Sequence, residues 1–411
     1  MVHHTMSTSN TRAPMASSKI RSMKRLLWHV VGVAIVGTLV ACASGPMPGP
    51  ETTAPATPAV LPPQQAAVPG AMPPDTAPLP LPIVQAKSRW VPVRWAELPG
   101  FTEDALFEAW NAWIKSCERP GPTFAPLCSE VRRLSIGTAD EQRQWLVQRL
   151  QPYRVEPLQG PSDGLLTGYY EPLMDATRQP DASHSAPLYK PPLNLASRKP
   201  WYTRQEIDQL PEARAALRGR EIAYLADPLD ALVLQIQGSG RLRITEPDGS
   251  QRVVRVSFAG TNDQPYRSVG GWLLAQGAVR DASWPGIKAW TQQNPQRVGE
   301  LIYSNPRMVF FREESLSELE AAFGPRGAQG VALTPGRSIA VDAGSIPYGT
   351  PVWMASSGPV TTLQKLVLAQ DTGSAINGAV RADYFAGTGE QAAELAGRLK
   401  QPLRLWVLWP R

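Results

Sequence analysis

The chain has 411 residues, enough for two ordinary soluble domains, and it is 43% hydrophobic and 18% charged. Its formal net charge of +6 arises largely before Cys42, where five Lys or Arg and no Asp or Glu occur; the rest carries 36 basic and 35 acidic residues, so nucleic-acid binding is not expected. Of the four histidines, only His184 lies beyond that segment, which argues against a histidine-rich zinc site or a Ser-His-Asp triad.

The N-terminal segment predicts a secretory signal peptide. Residues 19–25 are basic, residues 26–40 form a mostly apolar run too short for a comfortable membrane span, and the run ends at Leu39-Val40-Ala41-Cys42. These four residues resemble a bacterial lipobox, which predicts removal of residues 1–41 and lipidation of Cys42. A cleaved signal with an incidental cysteine is the alternative. Because Ala43 and not Asp follows, analogy with sorted lipoproteins favours the outer membrane of a Gram-negative bacterium, facing the periplasm.

Residues 42–87 predict an extended, disordered tether, or a mere spacer. Between Gly45 and Pro82 there are 13 prolines and only two charged residues, a composition with too few apolar residues and too many prolines to form a core.

Beyond the tether, Cys117 and Cys128 lie on either side of Pro120-Gly121-Pro122. Unused cysteines tend to pair in an oxidising periplasm, so a disulfide is favoured over two buried thiols.

Three helix starts can be read from capping patterns. Residues 101–115 predict a helix with Thr102 as its cap, and Trp110 and Trp113 on its apolar face. Capping boxes at residues 138–141 and 203–206 predict two more helices, the first with Trp145 turned inward.

Strand patterns dominate the rest of the chain. Residues 232–237 predict a strand ending at Gly238-Ser239-Gly240, and residues 241–245 and 253–258 predict a hairpin around Pro247-Asp248-Gly249. Helical patches follow near residues 266–276 and 298–303. Further predicted strands cover residues 308–311, 338–341, 351–354, 366–370 and 403–408, with a helix at 390–399 before the last. This irregular spacing favours β-barrels over a doubly wound sheet.

The densest group of chemically capable residues lies near the C-terminus. Asp371-Thr372-Gly373 and Ala382-Asp383-Tyr384 place two aspartates among glycines, and Val341-Asp342 repeats the pattern of a strand ending in aspartate. The alternative interpretation is that these residues only cap turns.

Several motifs together resemble one family. They are Thr167-Gly168-Tyr169-Tyr170-Glu171-Pro172, Gln235-Ile236-Gln237-Gly238-Ser239-Gly240, Tyr266-Arg267-Ser268-Val269-Gly270, Asn305-Pro306, Val341-Asp342 and residues 371–389. From about Leu166 to the end, the chain resembles the family of membrane-bound lytic murein transglycosylase A (MltA), with a C-terminal three-aspartate (3D) domain.

This resemblance implies a mainly β fold with flanking helices. A double-psi β-barrel catalytic domain would comprise residues 88–172 and 313–411, with the 3D motif region at 338–411. A second β-barrel, residues 173–312, would be inserted for substrate binding, with a glycan groove between the two. The resemblance assigns the catalytic role to Asp383, with Asp371 beside it. Candidate substrate-binding residues are Tyr169, Tyr170, Glu171, Gln235, Gln237, Gly238, Ser239, Gly240, Asp342, Thr372, Gly373, Ala375 and Tyr384. Core packing for the tyrosines, and hairpin capping for Gln235, Gln237 and Ser239, are equally open.

The implied activity is non-hydrolytic cleavage of the β-1,4 bond between N-acetylmuramic acid and N-acetylglucosamine, which forms 1,6-anhydromuramic ends. Asp383 would act as acid and then as base, and therefore needs a raised pKa. A hydrolase using Asp371 and Asp383, and a non-catalytic wall-binding lipoprotein, are the alternatives. No cofactor and no metal are expected. The expected partners are peptidoglycan glycan strands and, through the lipid anchor, the membrane, with complexes for cell-wall synthesis or remodelling as further candidates.

Overall fold

Two β-sheets organise the computed structural model, which describes residue 76, residues 78–160 and residues 163–411, the side chain of Leu319 excepted. In chain order the strands are β1 (Ile83–Val84), β2 (Ser88–Pro92), β3 (Leu150–Pro157), β4 (Gly164–Glu171), β5 (Leu173–Thr177), β6 (Ala186–Tyr189), β7 (Glu221–Leu225), β8 (Ser239–Thr245), β9 (Gln251–Thr261), β10 (Val309–Ser315), β11 (Ser338–Val341), β12 (Pro351–Ser357), β13 (Thr362–Asp371), β14 (Arg381–Thr388) and β15 (Lys400–Pro410).

The helices lie between these strands. They are α1 (Leu106–Ser116), α2 (Cys128–Arg133), α3 (Ala139–Arg149), α4 (Arg204–Gln209), α5 (Pro211–Leu217), α6 (Pro228–Gln237), α7 (Val269–Ala275), α8 (Trp284–Gln293), α9 (Val298–Tyr303), α10 (Glu318–Ala321) and α11 (Glu390–Arg398). Within the described ranges, none of these helices has the length and apolar character needed to cross a membrane.

The larger sheet contains nine strands in the order β1-β2-β3-β15-β12-β13-β11-β14-β4. An additional pairing of β15 with β4 brings its two halves together into a nearly closed barrel. The second sheet has the order β10-β9-β8-β5-β7-β6 and takes every strand from β5 to β10. The predicted mainly β, barrel-like fold with flanking helices is therefore confirmed. The domain limits at 173 and 312 stay a prediction.

Capping boxes predicted helix starts correctly where both partners are close in sequence. The Thr138 hydroxyl accepts a hydrogen bond from the Glu141 amide, and Thr203 caps α4 in the same way. The predicted start of α1 is wrong. That helix begins at Leu106 without a side-chain cap, because Ala105 stands at the N-cap position and has no side-chain acceptor. The Asp104 carboxylate just before it is buried against the Arg337 guanidinium at 2.8 Å.

The strand predicted at residues 232–237 is also wrong, since this segment is the C-terminal half of α6. Asp227 accepts a hydrogen bond from the Leu229 amide, and Pro228 occupies the first turn, where its missing N–H is harmless. Gly238 ends the helix with a φ of 80°. The segment shows no helical periodicity in its sequence because almost all of its side chains are buried.

The predicted hairpin is confirmed as the antiparallel pair β8 and β9, with Gly249 in its turn at a φ of 84°. Strands β1 to β7 and β14 and helices α2, α5, α8 and α10 were not predicted. The first helices pack their tryptophans into a core that also holds a disulfide between Cys117 and Cys128. In it, the Trp145 ring packs edge-on against Trp110 and Trp113.

Candidate active site

Asp371 and Asp383 flank one strand of the larger sheet. Strand β11 pairs in parallel with β13 and antiparallel with β14, and Ala340 is the register partner of both aspartates. Since neighbouring strands lie about 4.8 Å apart, the two aspartate Cα atoms are separated by roughly 10 Å. The two ends of the C-terminal motif therefore meet through sheet pairing rather than through their spacing in the sequence.

The carboxyl group of Asp383 is held by Thr167 on the neighbouring strand β4. The Thr167 hydroxyl donates to Asp383 Oδ1 at 2.5 Å and accepts from Arg381 Nη2 at 2.8 Å. No salt bridge between Arg381 and Asp383 occurs in the described part of the chain, so Thr167 stands between the cation and the carboxyl group. Burial raises the pKa of Asp383, against the opposing effects of the Thr167 hydrogen bond and the Arg381 charge.

Asp371 lies at the end of β13 and is held by donors from two other segments. The Tyr169 hydroxyl donates to Asp371 Oδ2 and the Ala328 amide donates to Oδ1, both at 2.9 Å. Burial raises the pKa of Asp371 to about 6, and the nearby Asp383 charge acts in the same direction. Burial and the Asp371 charge also raise the pKa of Tyr169 well above its usual value, so Tyr169 remains a hydrogen-bond donor at neutral pH.

Both aspartates face a groove formed by two adjoining cavities of about 240 and 760 Å³. Asp383 lines the smaller cavity, and Asp371 and Tyr169 line the larger. Six residues line both cavities and make them continuous: Gln235, Ile236, Arg307, Val309, Gly373 and Ser374. Because Val309 belongs to the six-stranded sheet and Gly373 follows a strand of the larger one, the groove lies between the two sheets.

Eight of the predicted substrate-binding residues line this groove. They are Tyr169, Gln235, Gln237, Gly238, Ser239, Thr372, Gly373 and Ala375. The buried side chain of Gln235 is oriented by the Arg204 guanidinium, which donates to Gln235 Oε1 at 2.8 Å. Burial lowers the pKa of this arginine to about 10, still high enough to keep it charged at neutral pH.

Two acidic residues predicted to bind substrate, Glu171 and Asp342, form salt bridges with basic side chains. The fully buried Glu171 carboxylate pairs with Arg241 at 2.8 Å and with Arg255 at 2.5 Å. The Asp342 carboxylate pairs with Lys87 at 2.7 Å and accepts from the Gly378 amide at 2.9 Å, and these interactions lower its pKa. Neither residue lines the two cavities of the groove, and their assignment to substrate binding stays a prediction.

Three further predicted ligands also lie outside these two cavities. Tyr384 neighbours Asp383 on β14 but points to the opposite face, where its hydroxyl donates to the Gly336 carbonyl at 3.1 Å. Gly240 packs tightly, since a Cβ atom there would come within 2.2 Å of the Leu234 side chain. Tyr170 contacts the groove only indirectly, through its amide, which donates to Gln237 Oε1 at 3.1 Å.

Several groove residues were not predicted from the sequence. Thr167 and Arg381 belong to the motifs quoted above, but their contacts around the Asp383 carboxyl group were not predicted. These contacts follow from the parallel pairing of β4 with β14, which places Thr167 opposite Asp383. Tyr266, Arg204 and Asn305 line the smaller cavity. The described residues include no group of three or more His, Cys, Asp and Glu side chains arranged to hold a metal ion.

Comparison with known proteins identifies domains of the MltA family and lytic transglycosylases of similar structure. The MltA specific insert domain matches residues 165–312, and the 3D domain matches residues 337–409. The lytic transglycosylase LtgG of Burkholderia pseudomallei is 41% identical, with 81% of this chain and all of that structure covered and a TM-score of 0.55.

Two other relatives agree. The structure of MltA from Neisseria gonorrhoeae is 28% identical over 81% of this chain and 96% of its own, with a TM-score of 0.66. Membrane-bound lytic murein transglycosylase A of Vibrio cholerae is 29% identical over 315 residues, which cover 74% of this chain and 75% of that protein.

Proposed function

Since this chain belongs to the MltA family of lytic transglycosylases, we propose that it cleaves the β-1,4 bond between N-acetylmuramic acid and N-acetylglucosamine in peptidoglycan without hydrolysis. The observation that carries this proposal is Asp383, a carboxyl group with a raised pKa in the wall of a long groove. The glycan strand would lie in the groove, with its scissile bond over Asp383.

Asp383 is suited to act first as a general acid. Cleavage of a glycosidic bond begins when its bridging oxygen receives a proton while the anomeric carbon becomes oxocarbenium-like. A raised pKa lets a carboxyl group keep that proton nearer to neutral pH. The Thr167 hydroxyl fixes Oδ1, which leaves Oδ2 without a hydrogen-bond partner among the described residues and available to the glycosidic oxygen.

The same carboxylate then acts as the base. Once it has given up its proton, Asp383 takes the proton of the 6-hydroxyl group of the muramic acid ring, and that oxygen attacks the anomeric carbon. The product is a 1,6-anhydromuramic end. No second catalytic carboxylate is required, because the nucleophile is already attached to the reacting ring and gains the advantage of proximity.

Asp371 would support Asp383 electrostatically and shape the adjoining part of the groove. Its two oxygens are already engaged by Tyr169 and the Ala328 amide, which leaves it poorly placed to activate a water molecule. Two carboxyl groups in one groove are nevertheless the arrangement that a two-carboxylate hydrolase would use. This makes hydrolysis the second candidate.

Product analysis distinguishes the two reactions. Purified wild-type protein is incubated with murein sacculi, and the soluble fragments are analysed by mass spectrometry. Fragments ending in anhydromuramic acid, each lighter by one water than the corresponding reducing ends, are the expected result. Only reducing ends would establish the hydrolase and overturn the lytic reaction.

We further propose that the mature protein is an outer-membrane lipoprotein anchored through Cys42 and facing the periplasm. The anchor lies outside the described residues, and the support is the lipobox-like sequence together with the membrane-bound relatives. Labelling cells with a radioactive fatty acid should tag the wild-type protein but not Cys42→Ser. Label that persists in the variant would contradict lipidation at this site.

A further inference from the structure

Two arginines converge on one residue in the wall of the larger cavity. The Arg119 side chain lies over Gly330, close enough that a Cβ atom at this glycine would come within 2.9 Å of Arg119 Nη1. On the same residue, Arg326 Nη1 donates to the Gly330 carbonyl at 3.2 Å. Gly330 has a φ of 84° and presents no side chain, so it leaves space for both guanidinium groups.

Neither guanidinium group has a carboxylate partner within salt-bridge distance in the described part of the chain. Of the other arginines that line this cavity, Arg312 is paired with Glu314 at 2.7 Å, whereas Arg307 donates to the Gln264 carbonyl and also has no salt bridge in the described ranges. The charge of Arg326 contributes to lowering the pKa of Glu320, but hydrogen bonds from Ser317 are the main cause there.

The two arginines line the same cavity as Asp371. Arg326 begins a short loop in which the Ala328 amide donates to Asp371 Oδ1 at 2.9 Å. Arg119 reaches this loop from the segment after α1, and Gln329 ties the two together by donating to the Arg119 carbonyl at 3.2 Å. A glycan strand in the groove would therefore bring whatever branches from it towards both guanidinium groups.

We propose that Arg119 and Arg326 form a subsite for the carboxylate groups of the stem peptides that branch from the glycan strand. This subsite rests on the proposed function. Neighbouring like charges without a counterion favour an anionic ligand, and guanidinium groups bind carboxylates through paired hydrogen bonds. In peptide-bearing murein the lactyl carboxyl group of each muramic acid is bound in the amide linkage to its peptide, so the glycan backbone carries no charge and the peptide carboxylates are the anions that the substrate offers. The subsite would make the enzyme faster on peptide-bearing murein than on naked glycan.

The test compares two substrates made from one preparation of murein. One is intact and peptide-bearing. The other has had its peptides removed by an amidase and the lactyl carboxyl groups freed by that cleavage converted to neutral methylamides, so that its strands carry no anion. Initial rates are measured for the wild type, the double variant Arg119→Gln/Arg326→Gln, and a double lysine variant that keeps the charge. Arg398→Gln, at an exposed arginine on α11 that is paired with Glu394 and lines neither cavity, is the control for the loss of a positive charge elsewhere, and thermal unfolding checks that each variant is folded.

The double glutamine variant should lose about tenfold in kcat/KM on peptide-bearing murein, as expected for the loss of two charge-assisted contacts made by exposed arginines. It should stay within about twofold of the wild type on peptide-free strands. The lysine variant should recover part of the loss, and raised salt should reduce the wild-type preference. Equal losses on both substrates, or no loss on either, would overturn the subsite. A wild-type protein that cleaves neither substrate would overturn the proposed function as well.

Discussion

Replacing Thr167 with valine should move the pH dependence of catalysis in a defined direction. The substitution keeps the shape of the side chain but removes the hydroxyl that donates to Asp383 Oδ1 at 2.5 Å. That hydrogen bond stabilises the ionised carboxylate, and its loss raises the pKa of Asp383 further. Arg381 Nη1 donates to the Ala382 and Leu165 carbonyls, and these hydrogen bonds hold the side chain in place. The guanidinium group is therefore not expected to move and replace the Thr167 hydroxyl as a donor to Asp383.

The size of this effect follows from the strength of the lost contact. A hydrogen bond to a charged group contributes about 1.5–3 kcal/mol, and one pKa unit corresponds to about 1.4 kcal/mol. Asp383 is partly exposed to the groove, so the lower end applies, and the expected shift is about one unit upward.

Because the acid works in its protonated form, the alkaline limb of kcat/KM against pH should move to higher pH by about one unit. The measurement is the initial rate of anhydromuropeptide release from sacculi between about pH 4 and 9. Thr167→Ser keeps the hydroxyl and should keep the wild-type limb. A limb that stays in place in Thr167→Val, or moves to lower pH, would refute the assignment of this limb to Asp383.

Three further predictions concern stability, measured by denaturant unfolding. Burial raises the pKa of Asp371 from 3.8 to about 6, so its ionisation costs stability as pH rises through this range; Asp371→Asn should be about 1–3 kcal/mol more stable at pH 8, with the gain shrinking towards zero below about pH 4. Arg337→Ala should lose about 3–5 kcal/mol, because it leaves the Asp104 carboxylate buried and unpaired. The double variant Cys117→Ser/Cys128→Ser should lose about 3 kcal/mol, because the disulfide closes a short loop, while activity at low temperature persists, because neither cysteine lines the groove.

Local patterns predicted local structure well. The capping box at Thr138 needs only two residues three positions apart, and the hairpin around Gly249 needs one turn and two flanking strands. The same reasoning failed for α6, where burial on nearly all sides removes the periodicity that identifies a helix. For such a segment, the N-cap at Asp227 and the glycine at 238 were the better signals.

The site was predictable in its central residues but not in its electrostatics. The resemblance of the motifs to the MltA family singled out Asp383 and Asp371, and both line the groove. Sequence alone does not show which acidic residues are neutralised by distant basic ones. Glu171 pairs with Arg241 from another strand, and Asp342 pairs with Lys87 from a segment 255 positions away, and neither pairing could be predicted from the sequence.

The most direct test of the account is the variant Asp383→Asn, which keeps the size of the side chain and removes its exchangeable acidic proton. Two quantities are measured on sacculi: the release of soluble fragments, and the fraction of protein that sediments with the murein. We predict that fragment release falls to background while sedimentation stays at the wild-type level. Continued release of fragments by Asp383→Asn would remove this residue from the catalytic role and contradict the account.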